Sequence, residues 1–119
     1  MKNKNYFKIA TIVFFICLLV GSVGIGAVFL EIQRSVEKYI TISQKAHPVK
    51  DDNVASLIEY INSDKHTLAE KKQAVWALGR IADPRALNVL EGYYTGDECD
   101  HDNKLCQYEL EKAIKRCRK

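Results

Sequence analysis

Residues 73–87 read QAVWALGRIADPRAL. Ala74, Val75, Leu78, Ile81 and Ala82 recur every three to four positions, the spacing of one apolar face of an α-helix. Asp83-Pro84 then restarts the chain. Asp83 can cap a new helix, and proline suits a first helical position, where its missing N–H is not needed. Gly79 and Ala82 are small enough to let helices pack closely. The stretch therefore predicts helix, sharp turn, helix.

Working outward, residues 67–70 spell TLAE, a capping-box pattern that opens the helix ending near Ala82. Before it, Val54, Leu57, Ile58 and Ile61 follow i, i+3, i+4, i+7, with Asp52 or Asn53 as cap, and Ser63-Asp64-Lys65 makes the turn. After Pro84, Leu87, Leu90, Tyr93 and Tyr94 form a third apolar face. Gly96 and an acidic loop follow. A last helix is predicted from about Asn103 to Arg118, with Cys106, Leu110, Ala113, Ile114 and Cys117 on one face. Trp76 and Tyr108 read as packing residues. The four helices fall into two pairs. A shift of 32 residues sets Leu57 and Ile58 on Val89 and Leu90, Trp76 on Tyr108, and Leu78 on Leu110. A period near 30 with two helices per unit is the mark of an α-solenoid.

Residues 73–87 closely resemble HEAT-like repeats of the phycobilisome-lyase type. The shared pattern, A-x-x-A-L-G-x-I-x-D-P-R-A-L, joins one helix pair to the next. Its turn and repeat positions here are Gly79, Asp83, Pro84 and Arg85. The strict match covers about fifteen residues. The second pair departs from it, with Glu111 where Gly79 would fall and no Asp-Pro after it. The resemblance implies a protein-interaction scaffold, with an unidentified protein partner docking near Arg80 and Arg85. Arg85 has a structural alternative, bonding across the Asp83 turn. Some members of that family are bilin lyases, but no residue here carries that activity over.

The other decisive stretch is residues 9–30, IATIVFFICLLVGSVGIGAVFL, which is without charge. At about 1.5 Å per residue a helix of this length covers ~33 Å, enough for a ~30 Å hydrocarbon core. A cleaved signal peptide would share the basic start and the small residues Gly24, Gly26 and Ala27, but the apolar run continues through Leu30. Cys17, in mid-span, reads as a small apolar residue. Lys2, Lys4 and Lys8 precede the run, and no acid occurs before Glu31. The positive-inside rule then predicts a cytoplasmic N-terminus and an outward C-terminal domain, periplasmic or extracellular, on a single-pass protein of the cell (inner) membrane.

The expected organisation is all-α: a basic N-terminus (1–8), a transmembrane helix (9–30), a helical stalk and linker (31–50), and a short α-solenoid of two HEAT-like helix pairs (51–119). His47-Pro48 should end the stalk, because a residue before proline is pushed out of helical geometry. His47 has no partner at ligand spacing and reads as a linker histidine. The chain has 119 residues and a net charge of +3. Since residues 1–30 hold three cations and no acid, residues 31–119 are net neutral. That argues against nucleic acid as a partner.

Only one constellation carries chemistry. Cys99-Asp-His101-x4-Cys106-x10-Cys117 lies in and after the acidic loop. Cysteines outside the cytoplasm tend to pair. Cys106 and Cys117 would lie about 16 Å apart along one helix, too far to bridge. Cys99–Cys106 is the expected disulfide, a staple for a small core. The alternatives are unpaired core thiols and a metal site from Cys99, His101 and Cys106, whose ligand types suit zinc although the spacing matches no standard zinc module. The acids around it lack the central glycine and distal glutamate of a calcium loop. No Cys-x-x-Cys, glycine-rich phosphate loop or catalytic triad occurs, so neither an enzyme nor a cofactor is expected.

Overall fold

The computed structural model describes residues 2–119, and every regular element among them is helical. In order these are α1 (Lys2–Ala46), α2 (Asn53–Asn62), α3 (Leu68–Ile81), a 3-10 turn over Pro84–Ala86, α4 (Leu87–Tyr93) and α5 (Gln107–Cys117). The side chains of residues 1–3, Lys2 of the expected basic terminus among them, lie outside what is described.

The chain divides into two units, Met1–Arg34 and Ser35–Lys119. The first is one stretch of α1. Its large apolar side chains face outward, Phe14 at 62% exposure and Ile25 at 75%. Sixteen large hydrophobic side chains are exposed along it, an apolar surface far beyond scattered single residues. With a mean hydropathy of 2.7 over its most apolar 18-residue window, α1 is long and apolar enough to cross a membrane. Its last turns, from Ser35 on, belong to the second unit. There Val36 and Ser43 are buried, and Tyr39 and Ile40 pack on the core. The expected stalk is thus largely an integral helix of the domain, and α1 ends at Ala46, just before His47-Pro48.

The second unit is built around α3, which packs against both α2 and α5, while α4 packs on α5. Leu57, Ile61, Leu78, Leu90 and Leu110 are fully buried. Each contributes roughly 1.5–3 kcal/mol by leaving water, so these contacts outweigh the surface ion pairs. Tyr39 of α1 meets Trp76 of α3 edge to face, ring centroids 6.5 Å apart. The helix starts follow the sequence signals. Asp52 accepts the Ala55 N–H at 3.0 Å. Thr67 and Glu70 form the reciprocal capping box at the head of α3.

Three expectations are corrected. Ala82 is not an interhelical contact: it is exposed and ends α3 in the left-handed region, φ 57°, where its N–H reaches the Leu78 carbonyl. Tyr108 is 58% exposed rather than packed, with the Lys112 ammonium 4.1 Å from its ring centre. The last helix begins at Gln107 rather than Asn103.

Candidate metal centre

Residues 94–106 connect α4 to α5 without regular structure, yet hydrogen bonds fix both halves of the segment. Gln107, the first residue of α5, is 4% exposed. Its Oε1 accepts the N–H of Thr95 at 2.7 Å and of Gly96 at 3.3 Å. Its Nε2 donates to the carbonyls of Tyr93 and Leu105. One buried amide thus pins the loop's entry to its exit. Gly96, at φ 78°, makes the turn that permits this.

The far half folds around Asp100. Its carboxylate accepts the N–H groups of Asp102 and Asn103 and the Asn103 amide, and its carbonyl accepts the Lys104 N–H at 3.0 Å. This side-chain turn is why the helix starts late: residues 100–104 satisfy their backbone locally instead of entering α5. The Asn103 amide is the first cause, among several bonds, that holds the Asp100 carboxyl below the ordinary aspartate value. Asp97 is likewise lowered, by the Thr95 hydroxyl and then Lys104.

Cys99 and Cys106 stand at the two ends of this turn. The Sγ atoms of Cys99 and Cys106 and an imidazole nitrogen of His101 lie within 4.8 Å of one another. Cys106 is 7% exposed, and His101 is open to solvent. The Cys99 sulfur accepts the Tyr108 N–H at 3.4 Å, so it caps α5 from outside the helix, where Cys106 makes no side-chain cap. The facing Cys106 thiol, then that N–H, then the charge of Lys72 draw the Cys99 thiol below its usual value. A thiolate at a helix N-terminus beside a lysine is both a good nucleophile and a good metal ligand. Two thiolates and an imidazole are the donors a tetrahedral zinc-class ion takes, with one position left open. Beside them is a cleft of about 290 Å³ lined by Leu68, Ala69, Lys72, His101, Lys104 and Cys106.

The expected Cys99–Cys106 disulfide is not present: all four cysteines are free, and the two sulfurs stand 2.6 Å apart against about 2.05 Å for a bond. Cys117 takes no part. It is buried under α3, its thiol directed at the Leu78 carbonyl at 3.8 Å, and burial raises its thiol above the usual value.

Of the expected partner surface, Arg85 is committed elsewhere. It donates to both carboxylate oxygens of Asp83 and, through Nη1, to Asp52 Oδ2 at 2.7 Å. It ties the turn after α3 to the cap of α2. Arg80 is exposed, its guanidinium 5.4 Å above the Trp76 ring centre. Nor is His47 a solitary linker residue: its Nε2 lies 2.9 Å from Nε2 of His66. The sequence reading missed Gln107 and His66. Neither sits in a motif, and each finds its partners only through the packing of separate helices. Comparison with known protein families, with characterised proteins and with solved structures finds no match for this chain.

Proposed function

We propose that this chain is a single-pass membrane protein that holds a small helical domain at the outer face of the membrane, and that the domain's working group is a Cys2His site for a zinc-class ion. The observation that carries the reading is the convergence of the Cys99, His101 and Cys106 donors within 4.8 Å, on a loop that Asp100 and Gln107 organise independently of any ion. The loop is ordered in advance, which lowers the cost of gathering the ligands, but the two sulfurs, 2.6 Å apart, must part to about 3.7 Å to hold a tetrahedral ion at about 2.3 Å from each. The lysines before residue 9 favour a cytoplasmic N-terminus and so a periplasmic or extracellular domain.

The test is a Co2+ titration of the reduced full-length protein in detergent. Thiolate-to-cobalt absorbance should rise to one ion per chain and be displaced by Zn2+. Cys99→Ser and Cys106→Ser should abolish it, while Cys117→Ser leaves it unchanged. Failure of the reduced protein to bind overturns the metal reading. So does membrane-extracted protein whose Cys99 and Cys106 resist alkylation until reduced, which restores the disulfide staple.

A second reading is favoured by Arg80. A guanidinium lying exposed on a tryptophan face is a frequent element of protein-docking surfaces. On that reading the domain is the HEAT-like interaction scaffold implied by residues 73–87, and Arg80→Ala abolishes capture of a specific partner from crosslinked membranes while leaving the metal site intact.

A further inference from the structure

His47 follows the last turn of α1, and His66 lies in the connection between α2 and α3. Their Nε2 atoms face each other at 2.9 Å. The His66 ring lies flat on Tyr60, centroids 3.6 Å apart and planes 10° from parallel. His47 meets the same tyrosine edge-on at 6.0 Å. Between them the imidazoles cover Tyr60, which is 5% exposed.

Two imidazole nitrogens at this distance need one proton between them. With one, an N–H donates to a lone pair; with two, both present N–H groups and nothing accepts. We propose that His47 and His66 form a proton-sharing clasp that closes the 47–52 link over Tyr60 when one proton lies between the facing nitrogens, and that opens when both rings are charged.

The charged surroundings set where the second proton is resisted. Glu59 of α2 stands 3.9 Å from His47 Nδ1, on the side of that ring away from His66. On His66, burial and then the facing His47 lower the ring below the ordinary histidine value; Glu70 of α3 opposes this, and Lys71 and Lys65 reinforce it. His66 therefore stays neutral at neutral pH and is protonated only as pH falls below the ordinary value. The clasp then loses its acceptor. The link is fixed at its ends, by the His47 N–H on the Ser43 carbonyl and by Asp52 on Arg85, each at 2.7 Å; between them it is held lightly, by Val49 N–H to Ser56 Oγ and Gln44 Nε2 to the Val49 carbonyl, each at 3.3 Å. Opening uncovers Tyr60 without disturbing Val36 and Ser43, which anchor α1 separately. The domain would thus carry a link that loosens under mild acid.

The experiment is an NMR pH titration of the full chain in detergent micelles. It follows the His66 Cε1–H, the Tyr60 ring and the Val49 amide together. His66 should titrate below about 6.5, the ordinary histidine value, with Tyr60 and Val49 moving at the same midpoint. His47→Gln should shift the His66 midpoint upward and uncouple the other two signals. Lys65→Gln, at an exposed position that cannot compromise folding, should shift all three midpoints upward together. If His66 titrates identically with and without His47, burial alone sets it and the clasp is overturned. If Tyr60 and Val49 do not move with His66, no link opens and the proposal fails.

Discussion

Gly79 of α3 lies directly against Ala113 of α5: a Cβ placed on Gly79 would come within 2.9 Å of both Cα and Cβ of Ala113. This is a close constraint on the packing of α3 against α5. Because the obstructing atoms include backbone, α3 and α5 must separate to admit a methyl group. Overpacking of this kind costs about 1–3 kcal/mol, against a gain of up to about 1 kcal/mol from replacing glycine in a helix. Gly79→Ala should therefore lower the urea midpoint. Trp76 is the only tryptophan; it lies on α3 with Gly79 and packs against Tyr39 of α1, so its fluorescence reports unfolding of the domain. Adding Ala113→Gly to Gly79→Ala should recover part of the loss; no recovery would place the clash elsewhere.

Gln107 fills four hydrogen-bonding roles from a buried position. Replacing it with leucine keeps the volume but orphans the N–H groups of Thr95 and Gly96. A buried donor left unsatisfied costs about 1–3 kcal/mol. Gln107→Leu should lower stability by that order and speed amide exchange at Thr95 and Gly96 first. Uniform exchange rates across the loop in this variant would contradict the clamp.

The features that the sequence disclosed are those written in local chemistry. The charge-free run at 9–30, the TLAE box at the head of α3 and Asp83-Pro84 after it each need only neighbours in the chain, and each lies where its pattern places it. What escaped depends on partners set by packing. The register of the last helix was hidden because Asp100 competes for the backbone of residues 102–104, a contest that apolar periodicity does not register. Cys99, His101 and Cys106 were legible as one cluster, but spacing alone does not decide between a bridged pair and free thiols. The role of Cys99 as the external cap of α5 required knowing that the helix starts at Gln107. His47 and His66 lie 19 residues apart and meet only because α2 folds between them.

The Asp83–Arg85–Asp52 bridge predicts a pH dependence. In the folded chain both carboxyls are lowered, Asp83 first by the Arg85 side chain and Asp52 first by the Ala55 N–H with Arg85 adding to it. A lowered carboxyl stabilises the fold above its unfolded value, and that stability is lost as pH falls through the folded one. The bridge should therefore be intact at pH 5 and fail progressively below about pH 4. Arg85→Ala should reduce the melting temperature at neutral pH by a few degrees and flatten the acid limb of the stability curve. Arg85→Lys should rescue little, because a single ammonium cannot span both carboxylates as the guanidinium does. An unchanged acid limb in Arg85→Ala would show that the two aspartates act independently.

The two soluble cysteines that differ most in environment predict an order of reaction. The Cys99 sulfur is exposed and its thiol is lowered by the Cys106 thiol and the Tyr108 N–H, so a larger share is thiolate at neutral pH. The Cys117 thiol is buried and raised. Alkylation of the reduced, metal-free protein should modify Cys99 first and Cys117 only after the domain unfolds, a difference visible by mass spectrometry of the fragments. Zn2+ should slow the first reaction and leave the second unchanged. The same chemistry reads the topology. A membrane-impermeant maleimide added to reduced intact spheroplasts should label Cys99 without permeabilisation when the domain faces outward. Labelling that appears only after permeabilisation would place the domain in the cytoplasm, where free thiols persist without metal protection.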